Sequence, residues 1–260
     1  MAGFERVWPS VAAIEGWLSR EQAAALYAAA ATVSAGSWIV EIGSHRGRST
    51  VALANGKPAS VRLLAVDPFP ESWGAGESDY QAFLGNIEAA GVEGVHLIRE
   101  TSQVAADALP LAAEAVAGVE GEVRPPAAAG AALVDKFDVG LLFVDGLHDR
   151  DAVLADIDAW EQHVAEGGLV YFHDAFFRLG VTLALLERHL LSSSFRYLGA
   201  VGNLAMFRRE QVGARESLRG AVRLSARLAY FLRNAVVTIG VRRRWRWLQR
   251  LFPPEEDFEY

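Results

Sequence analysis

Short apolar runs alternate along the chain with longer segments whose apolar positions recur at helical spacing. The runs predict buried strands at residues 37–43, 61–67, 95–100, 139–145 and 168–174. The intervening segments predict helices at residues 48–54, 79–90, 102–116, 150–165 and 180–191. Alternation of this kind favours a parallel sheet with helices on both faces. We therefore expect an α/β fold.

Two further patterns extend this prediction to the ends of the sheet. Ser19 and Gln22 have the spacing of a capping box at the start of an alanine-rich segment, residues 19–33, which predicts a helix. Residues 195–200 and 203–209 predict a hairpin that closes the sheet. Residues 118–133 are low in complexity and predict a loop.

Charge is distributed unevenly along the chain. Residues 208–250 contain twelve arginines against two glutamates, whereas residues 1–207 carry a net charge of −13. An acidic body with a basic extension indicates separate functional units. We predict a helical N-terminal segment at residues 1–36, the main domain at residues 37–210 and a basic amphipathic extension at residues 211–260.

Composition narrows the chemistry and the cellular location. The hydrophobic fraction of 52% is ample for a packed core. The absence of cysteine excludes disulfides, thiolate zinc sites and cysteine nucleophiles. Because the N-terminus also lacks the pattern of a secretory signal, we expect a cytoplasmic protein.

Candidate ligand-binding residues follow the first two predicted strands, where parallel sheets bind ligands. Gly43 and Gly47 in EIGSHRGRST allow a tight turn with close backbone approach to a ligand. Glu41 can accept a hydrogen bond from a ligand ammonium group, and Asp67, at the end of the next strand, can bind a ribose diol. The turn lacks the GxGxxG pattern, which disfavours a pyrophosphate cradle.

Carboxylates and imidazoles occur together at the ends of two later strands. Asp145 and His148 lie in FVDGLH, and His173 and Asp174 end GLVYFHD. Such a set is consistent with a metal-assisted active site or with ordinary loop residues. Asp156, in the helix that follows, is interpreted as an ordinary polar helix position.

These motifs together resemble a known enzyme family. EIGSHRGRST, AVDPF, FVDGLHDRDAVLADIDAW and GGLVYFHD are similar to class I S-adenosylmethionine-dependent methyltransferases, over roughly residues 10–207. More narrowly, they resemble the metal-dependent sugar O-methyltransferases related to macrocin O-methyltransferase. The resemblance implies a Rossmann-like, seven-stranded, mostly parallel sheet of order 3-2-1-4-5-7-6, whose last strand is antiparallel.

The resemblance also implies roles for individual residues. The methionine part of S-adenosylmethionine would lie against Glu41, Gly43, Ser44, Gly47 and Ser49. Asp67 would bind the ribose, Ser102 would lie near the adenine, and Asp145 would contribute to the cofactor site. Asp145 and Asp174 correspond to metal-binding acids, and His148 occupies the position of the general base. His173 departs from the family pattern, in which an acid is usual, so its role as a third metal ligand is open.

The chemistry of methyl transfer is consistent with these roles. A sugar hydroxyl is a poor nucleophile until its proton is removed. A divalent cation lowers the pKa of a bound hydroxyl, and a neutral imidazole can take the proton. Two carboxylates favour Mg²⁺, with Mn²⁺ as a substitute.

Other functions and the partners of the extension stay open at this point. A methyltransferase acting on a catechol-like aromatic would use the same metal but is expected to have a lysine base. A nicotinamide-dependent oxidoreductase is disfavoured by the missing GxGxxG. The extension predicts a helix pair that packs on its own body, supports a homo-oligomer or contacts an anionic membrane. No nucleic-acid partner is expected, because the acidic body would repel phosphates.

Overall fold

The computed structural model describes residues 2–71, 76–108, 121–122 and 137–245. Its strands are β1 (Trp38–Ile42), β2 (Arg62–Val66), β3 (Val95–Ile98), β4 (Gly121–Glu122), β5 (Val139–Val144), β6 (Val164–Phe172), β7 (Phe195–Val201) and β8 (Leu204–Arg209). Its helices are α1 (Ala2–Ala12), α2 (Arg20–Ala30), α3 (Arg48–Gly56), α4 (Gly76–Ala90), α5 (Arg150–Trp160), α6 (Leu179–His189), α7 (Ala214–Ala226) and α8 (Leu228–Arg242). Residues 102–108 are also helical. The rest of the predicted helix 102–116 and, apart from β4, the predicted loop 118–133 lie outside the described residues.

The strands form one sheet of order β4-β3-β2-β1-β5-β6-β8-β7. All neighbouring pairs are parallel except those of β8, which is antiparallel to both β6 and β7. When the two-residue edge strand β4 is set aside, the remaining seven strands have the order 3-2-1-4-5-7-6. The predicted topology is therefore confirmed, including the hairpin that closes the sheet.

Both faces of the central strands are buried, which explains why their sequences are continuous apolar runs. Side chains of a strand point alternately to opposite faces. Trp38, Val40 and Ile42 accordingly pack in one core cluster with residues of α5 and α6. Ile39 packs in the other cluster, with residues of α1, α2 and α3. The predicted helical cover on both faces is confirmed.

The N-terminal capping box forms as predicted. Ser19 Oγ accepts a hydrogen bond from the Gln22 amide at 3.3 Å, and Gln22 Oε1 accepts one from the Ser19 amide at 2.9 Å. These reciprocal bonds satisfy two donors that would otherwise be unpaired at the start of α2. The helix ends at Ala30, three residues earlier than predicted.

The basic extension forms two helices, α7 and α8, that pack on the body in the described part of the chain. Leu224 is buried in the same core cluster as β5 and β6. Arg223 donates hydrogen bonds to the carbonyls of Tyr197 and Leu198 in β7. Asn234 Nδ2 donates to the Phe176 carbonyl at 3.3 Å. Neither helix, nor any other in the described residues, has the length and apolar character needed to cross a bilayer.

Candidate functional site

The carboxyl ends of β2, β1, β5 and β6 lie side by side, and the first residue after each strand belongs to one row. The backbone ladder continues one position past the strands: the amides of Gly43, Asp67, Asp145 and His173 donate to the carbonyls of Val66, Ile98, Ile42 and Val144 at 2.8 to 3.2 Å. Parallel pairing thus holds the first residue after β2, β1, β5 and β6 side by side. The acids and histidines that the sequence analysis selected meet because of this alignment.

A cavity of about 670 Å³ opens at this row. Nine of the predicted site residues line it: Gly43, Ser44, Ser49, Asp67, Ser102, Asp145, His148, His173 and Asp174. Glu41 and Gly47 do not. The cavity is also lined by residues that were not expected there, among them Glu15, Gly16, Trp17 and Leu18 of the segment between α1 and α2.

The glycine turn after β1 approaches β5 too closely for any side chain. Gly43 has a φ of 82°, and a Cβ atom placed on it would lie 2.2 Å from the Asp145 carbonyl oxygen. Gly47, with a φ of 88°, precedes the first residue of α3. Glycine is the residue that adopts this left-handed conformation without steric cost. The turn therefore brings the amino end of α3 to the cavity.

Asp67 holds this turn in place. One of its carboxylate oxygens accepts hydrogen bonds from the amides of Ser44 and His45, both at 2.9 Å. The other accepts one from the Phe69 amide at 2.7 Å. Each carboxylate oxygen has two acceptor sites, so Asp67 retains capacity for a ligand hydroxyl. The predicted contact to the ribose stays a prediction.

Glu41 lies beneath the turn rather than in the cavity wall. Its carboxyl is fully buried, and Oε2 accepts a hydrogen bond from Thr50 Oγ1 at 2.5 Å. Burial raises the pKa of Glu41 to about 7, against the opposing effect of the hydroxyls of Ser49 and Thr50. Its Oε1 has no hydrogen-bond donor among the described residues. A direct contact between Glu41 and the cofactor stays a prediction.

Ser102 belongs to a buried polar cluster that the sequence analysis recognised only in part. Its hydroxyl donates to Asp156 Oδ1, which also accepts from Gln103 Nε2 at 2.8 Å. Trp160 Nε1 donates to the Ser102 carbonyl at 3.1 Å. Asp156 is 5% exposed, and burial raises its pKa against the effect of these hydrogen bonds.

The interpretation of Asp156 as an ordinary polar helix position is therefore wrong. Asp156 lies on the buried face of α5, with Val153, Ile157 and Trp160. An acid among apolar residues at helical spacing was the available signal, since a carboxylate on a buried face requires hydrogen-bond partners.

The two strand-end motifs form one cluster of alternating carboxylates and imidazoles. His148 Nε2 lies 3.1 Å from Asp174 Oδ2 and 4.0 Å from Asp145 Oδ1. His173 Nδ1 lies 3.0 Å from Asp145 Oδ1 and 3.8 Å from Asp174 Oδ1. Each imidazole thus faces both acids. His173 is buried, whereas the His148 side chain is 40% exposed at the cavity.

Asp145 and His173 form an ion pair. Burial alone would raise the pKa of Asp145, but His173 and His148 hold it down at about 2. Burial alone would lower the pKa of His173, but Asp145 and Asp174 raise it to about 9. The positive charge of His173 stabilises the folded state fully below pH 6.5, and this stabilisation is lost as the pH rises through about 9 and the imidazole loses its proton. The negative charge of Asp145 stabilises the folded state above pH 3.8, and this stabilisation is lost as the pH falls through about 2 and the carboxylate is protonated.

Two amides that the sequence analysis did not place in the site support this cluster. Asn203, fully buried at the turn between β7 and β8, donates to Asp174 Oδ1 at 2.6 Å. Gln22 Nε2 donates to Asn203 Oδ1, and Gln22 Oε1 lies 3.4 Å from His173 Nε2. Gln22, a member of the capping box of α2, therefore contacts His173 directly and reaches Asp174 through Asn203.

The segment between α1 and α2 forms one wall of the cavity. Trp17 lines the cavity and packs on His45, with ring centroids 5.3 Å apart. Arg48 Nη1 donates to the carbonyls of Gly16 and Ile14 at 2.8 and 3.2 Å. These bonds fix the segment to the first residue of α3.

The described side chains do not fit a bound divalent cation. Asp174 already accepts hydrogen bonds from Asn203 and Arg178 and faces His148. His173 Nδ1 lies 3.0 Å from Asp145 Oδ1 and its Nε2 lies 3.4 Å from Gln22 Oε1, so both ring nitrogens already have polar partners. Across the described ranges, no group of three or more His, Cys, Asp or Glu side chains is arranged to hold a metal. The Mg²⁺ site predicted for Asp145, Asp174 and His173 stays a prediction.

The sheet order, the glycine turn after β1 and the acid after β2 define a class I methyltransferase, a class whose methyl donor is S-adenosylmethionine. A family model described as a methyltransferase domain matches residues 40–175, more than half of the chain. The chain belongs to this family and is an S-adenosylmethionine-dependent methyltransferase.

Solved structures share this fold at low sequence identity. A protein from Corynebacterium glutamicum is 14% identical, with a TM-score of 0.56, and the match covers 82% of this chain and 91% of that one. A putative O-methyltransferase from Klebsiella pneumoniae is 17% identical, with a TM-score of 0.54 and coverage of 81% and 90%. Cofactor-bound Rv0187 from MTB is 16% identical, with a TM-score of 0.50 and coverage of 82% and 91%. None of the curated proteins compared with the chain matches it.

The residues of the cavity fit the methyl donor. Gly43 lets the turn pack directly on the Asp145 backbone at the cavity, and Ser44 Oγ, buried in the cavity wall, has no hydrogen-bond partner among the described residues. An unpaired buried hydroxyl is costly unless a ligand completes it.

Asp67→Ala is expected to weaken S-adenosylmethionine binding roughly 10- to 100-fold, because a charged acceptor for the turn amides is lost. Isothermal calorimetry measures the affinity, and a thermal melt verifies folding. Asp158→Ala removes an acid on the exposed side of α5 and serves as the matched control. Equal affinity of the Asp67 variant and wild type would contradict this role.

Gln22→Leu is expected to lower kcat about tenfold or more with little change in the KM for the cofactor, because Asn203 and His173 lose a shared partner. Ser19→Ala is the control: it removes the hydroxyl of the same capping box, at a cost of about 1 kcal/mol in stability, and spares the site. Steady-state kinetics and thermal melts separate the two effects. Similar kcat values for the two variants would count against a positioning role for Gln22.

Proposed function

We propose that this methyltransferase transfers its methyl group to a hydroxyl of a sugar, an oligosaccharide or a glycosylated metabolite. The observation that carries the proposal is the pairing of His148 with Asp174 at the cavity wall. An aliphatic hydroxyl needs a base to remove its proton, and an imidazole held by a carboxylate is suited to that task.

The 3.1 Å separation of His148 Nε2 and Asp174 Oδ2 favours the tautomer of His148 that carries its proton on Nε2. In that tautomer Nε2–H would donate to Asp174 and the lone pair would lie on Nδ1. Nδ1 is therefore the atom that accepts the proton of the acceptor hydroxyl. Asp174 orients the ring and stabilises the imidazolium that forms, while Asn203 holds the other oxygen of Asp174.

S-adenosylmethionine supplies an electrophilic methyl group on a sulfonium. The displacement is in line, so the protein must hold the acceptor oxygen close to the methyl carbon. The turn fixed by Asp67 and the wall formed by residues 15–18 bound this space. The ion pair of His173 and Asp145 adds no net charge beside it.

A sugar hydroxyl is favoured over a catechol-like aromatic by the identity of the available base. The catechol alternative is expected to use a lysine, and no lysine occurs among the described residues that line the cavity. The imidazole of His148 lies 3.1 Å from the Asp174 carboxylate and is 40% exposed at the cavity, where it can reach an acceptor. Methyl transfer to a catechol-like aromatic is the competing outcome of the acceptor assay.

Formation of S-adenosylhomocysteine on panels of saccharides, glycosylated metabolites and catechols tests the proposed function. Turnover is expected with the sugar-containing panels, and His148→Ala is expected to reduce it on the order of 10²- to 10⁴-fold while cofactor binding is retained. His163→Gln, which alters a histidine outside the cavity wall, is the control. Turnover on catechols alone, or near-normal turnover by His148→Ala, would overturn the proposal.

The metal prediction is tested by chelation. The resemblance implies Mg²⁺ or Mn²⁺ dependence, but the described side chains do not fit the ion, so we expect turnover in excess EDTA to stay near that of the untreated enzyme. Loss of turnover in EDTA and recovery with Mg²⁺ would instead support a metal site, and His173 would then have to lose its proton. Cofactor affinity, measured in parallel, controls for indirect effects.

A further inference from the structure

Five of the eleven large apolar side chains that are exposed in the described part of the chain lie on α7, on α8 or in the three residues after α8. Leu218, Val222, Leu232, Ile239 and Trp245 are each 46 to 63% exposed. Monomeric soluble proteins rarely leave a contiguous apolar surface without a function. A cluster of this kind within 28 consecutive positions (218–245) therefore indicates a docking surface.

Each helix buries one face and presents the opposite one. On α7 the buried residues are Ala221 and Leu224, while Leu218 and Val222, one turn apart, are exposed. On α8 the buried residues are Asn234, Val237 and Gly240. Leu232 and Ile239, two turns apart with half-buried Val236 between them, form a stripe on the outer side. The exposed stripes are thus not needed for packing on the body.

Arginines accompany these stripes. Residues 214–245 contain eight arginines and a single acid, Glu216. Arg223 and Arg227 donate hydrogen bonds to carbonyls of the β7–β8 hairpin. Arg215 and Arg219 share the exposed side of α7, and Arg242–Arg244 lie exposed at the end of α8, beside Trp245. The surface is therefore both apolar and strongly basic.

We propose that the outer faces of α7 and α8 bind the surface of an anionic lipid membrane. Apolar side chains would enter the boundary between headgroups and acyl chains, and the arginines would contact anionic headgroups. A tryptophan next to a basic cluster is typical of residues at a membrane interface. The acidic body would face away from the lipid.

A second copy of the chain fits this surface less well. A two-fold interface places the same patch on both subunits, so the arginines of one copy would face those of the other. Contact with the acidic body of another copy would pair the arginines with acids, and the oligomer size distinguishes this case. An anionic lipid surface offers partners for both components, anionic headgroups for the arginines and acyl chains for the apolar side chains.

Vesicle sedimentation of the full chain tests this inference. We compare phosphatidylcholine vesicles with vesicles that also contain phosphatidylglycerol, and expect binding only to the latter, weakened by added salt. The apolar variant is Leu218→Ser, Val222→Ser, Leu232→Ser, Ile239→Ser. The charge variant is Arg242→Gln, Arg243→Gln, Arg244→Gln. The control variant, Leu183→Ser, Leu191→Ser, removes exposed leucines elsewhere.

The apolar variant is expected to lose sedimentation, and the charge variant to bind about 10²-fold more weakly, given about fivefold per arginine near the surface. The control variant is expected to bind like wild type. Thermal melts and cofactor affinity verify that every variant is folded. Three outcomes would overturn the inference: no binding to anionic vesicles, equal binding to neutral ones, or unchanged binding by the apolar variant. A change of oligomer size by light scattering without vesicle binding would assign the surface to a second copy.

Discussion

The backbone hydrogen bonds that continue past β2, β1, β5 and β6 are the constraint on which the site depends. These bonds, which involve backbone atoms alone, align Asp67, Gly43, Asp145 and His173 in one row. The spacing of the row leaves no room for a Cβ atom on Gly43. The cofactor turn and the acid–histidine cluster are therefore two parts of one backbone arrangement, and a shift in β5 would disturb both.

Buried charge is the second organising feature. His173 is buried, and Asp145, whose side chain is 26% exposed, supplies the opposite charge 3.0 Å away. The two residues directly follow the adjacent strands β5 and β6. Asp174 follows immediately, with a φ of 54°, an uncommon conformation for a residue with a side chain. Asn203 and Arg178 donate hydrogen bonds to the carboxylate of Asp174 and so hold its side chain in place.

Much of the fold could be predicted from the sequence because its strands are buried on both faces and appear as apolar runs. The order of the strands came from the family resemblance, not from the runs themselves. Strand-end acids such as Asp67 and Asp145 were recognisable because parallel strands end at one edge. Gln22 and Asn203 were not, since they lie 181 positions apart and their contact exists only in the folded chain. Gln22 also had a sufficient local explanation as a capping residue, which concealed its second role.

The attachment of the C-terminal helices bears on how the enzyme can be divided. Arg227 donates to the carbonyl of Gly202, and the next residue, Asn203, holds Asp174. Asn234 donates to the carbonyl of Phe176, two residues beyond Asp174. A recombinant fragment that stops at the charge boundary would lack these donors and uncover the core around Leu224. Engineering of a minimal catalytic unit should therefore retain α7 and α8 and alter only their outward-facing side chains.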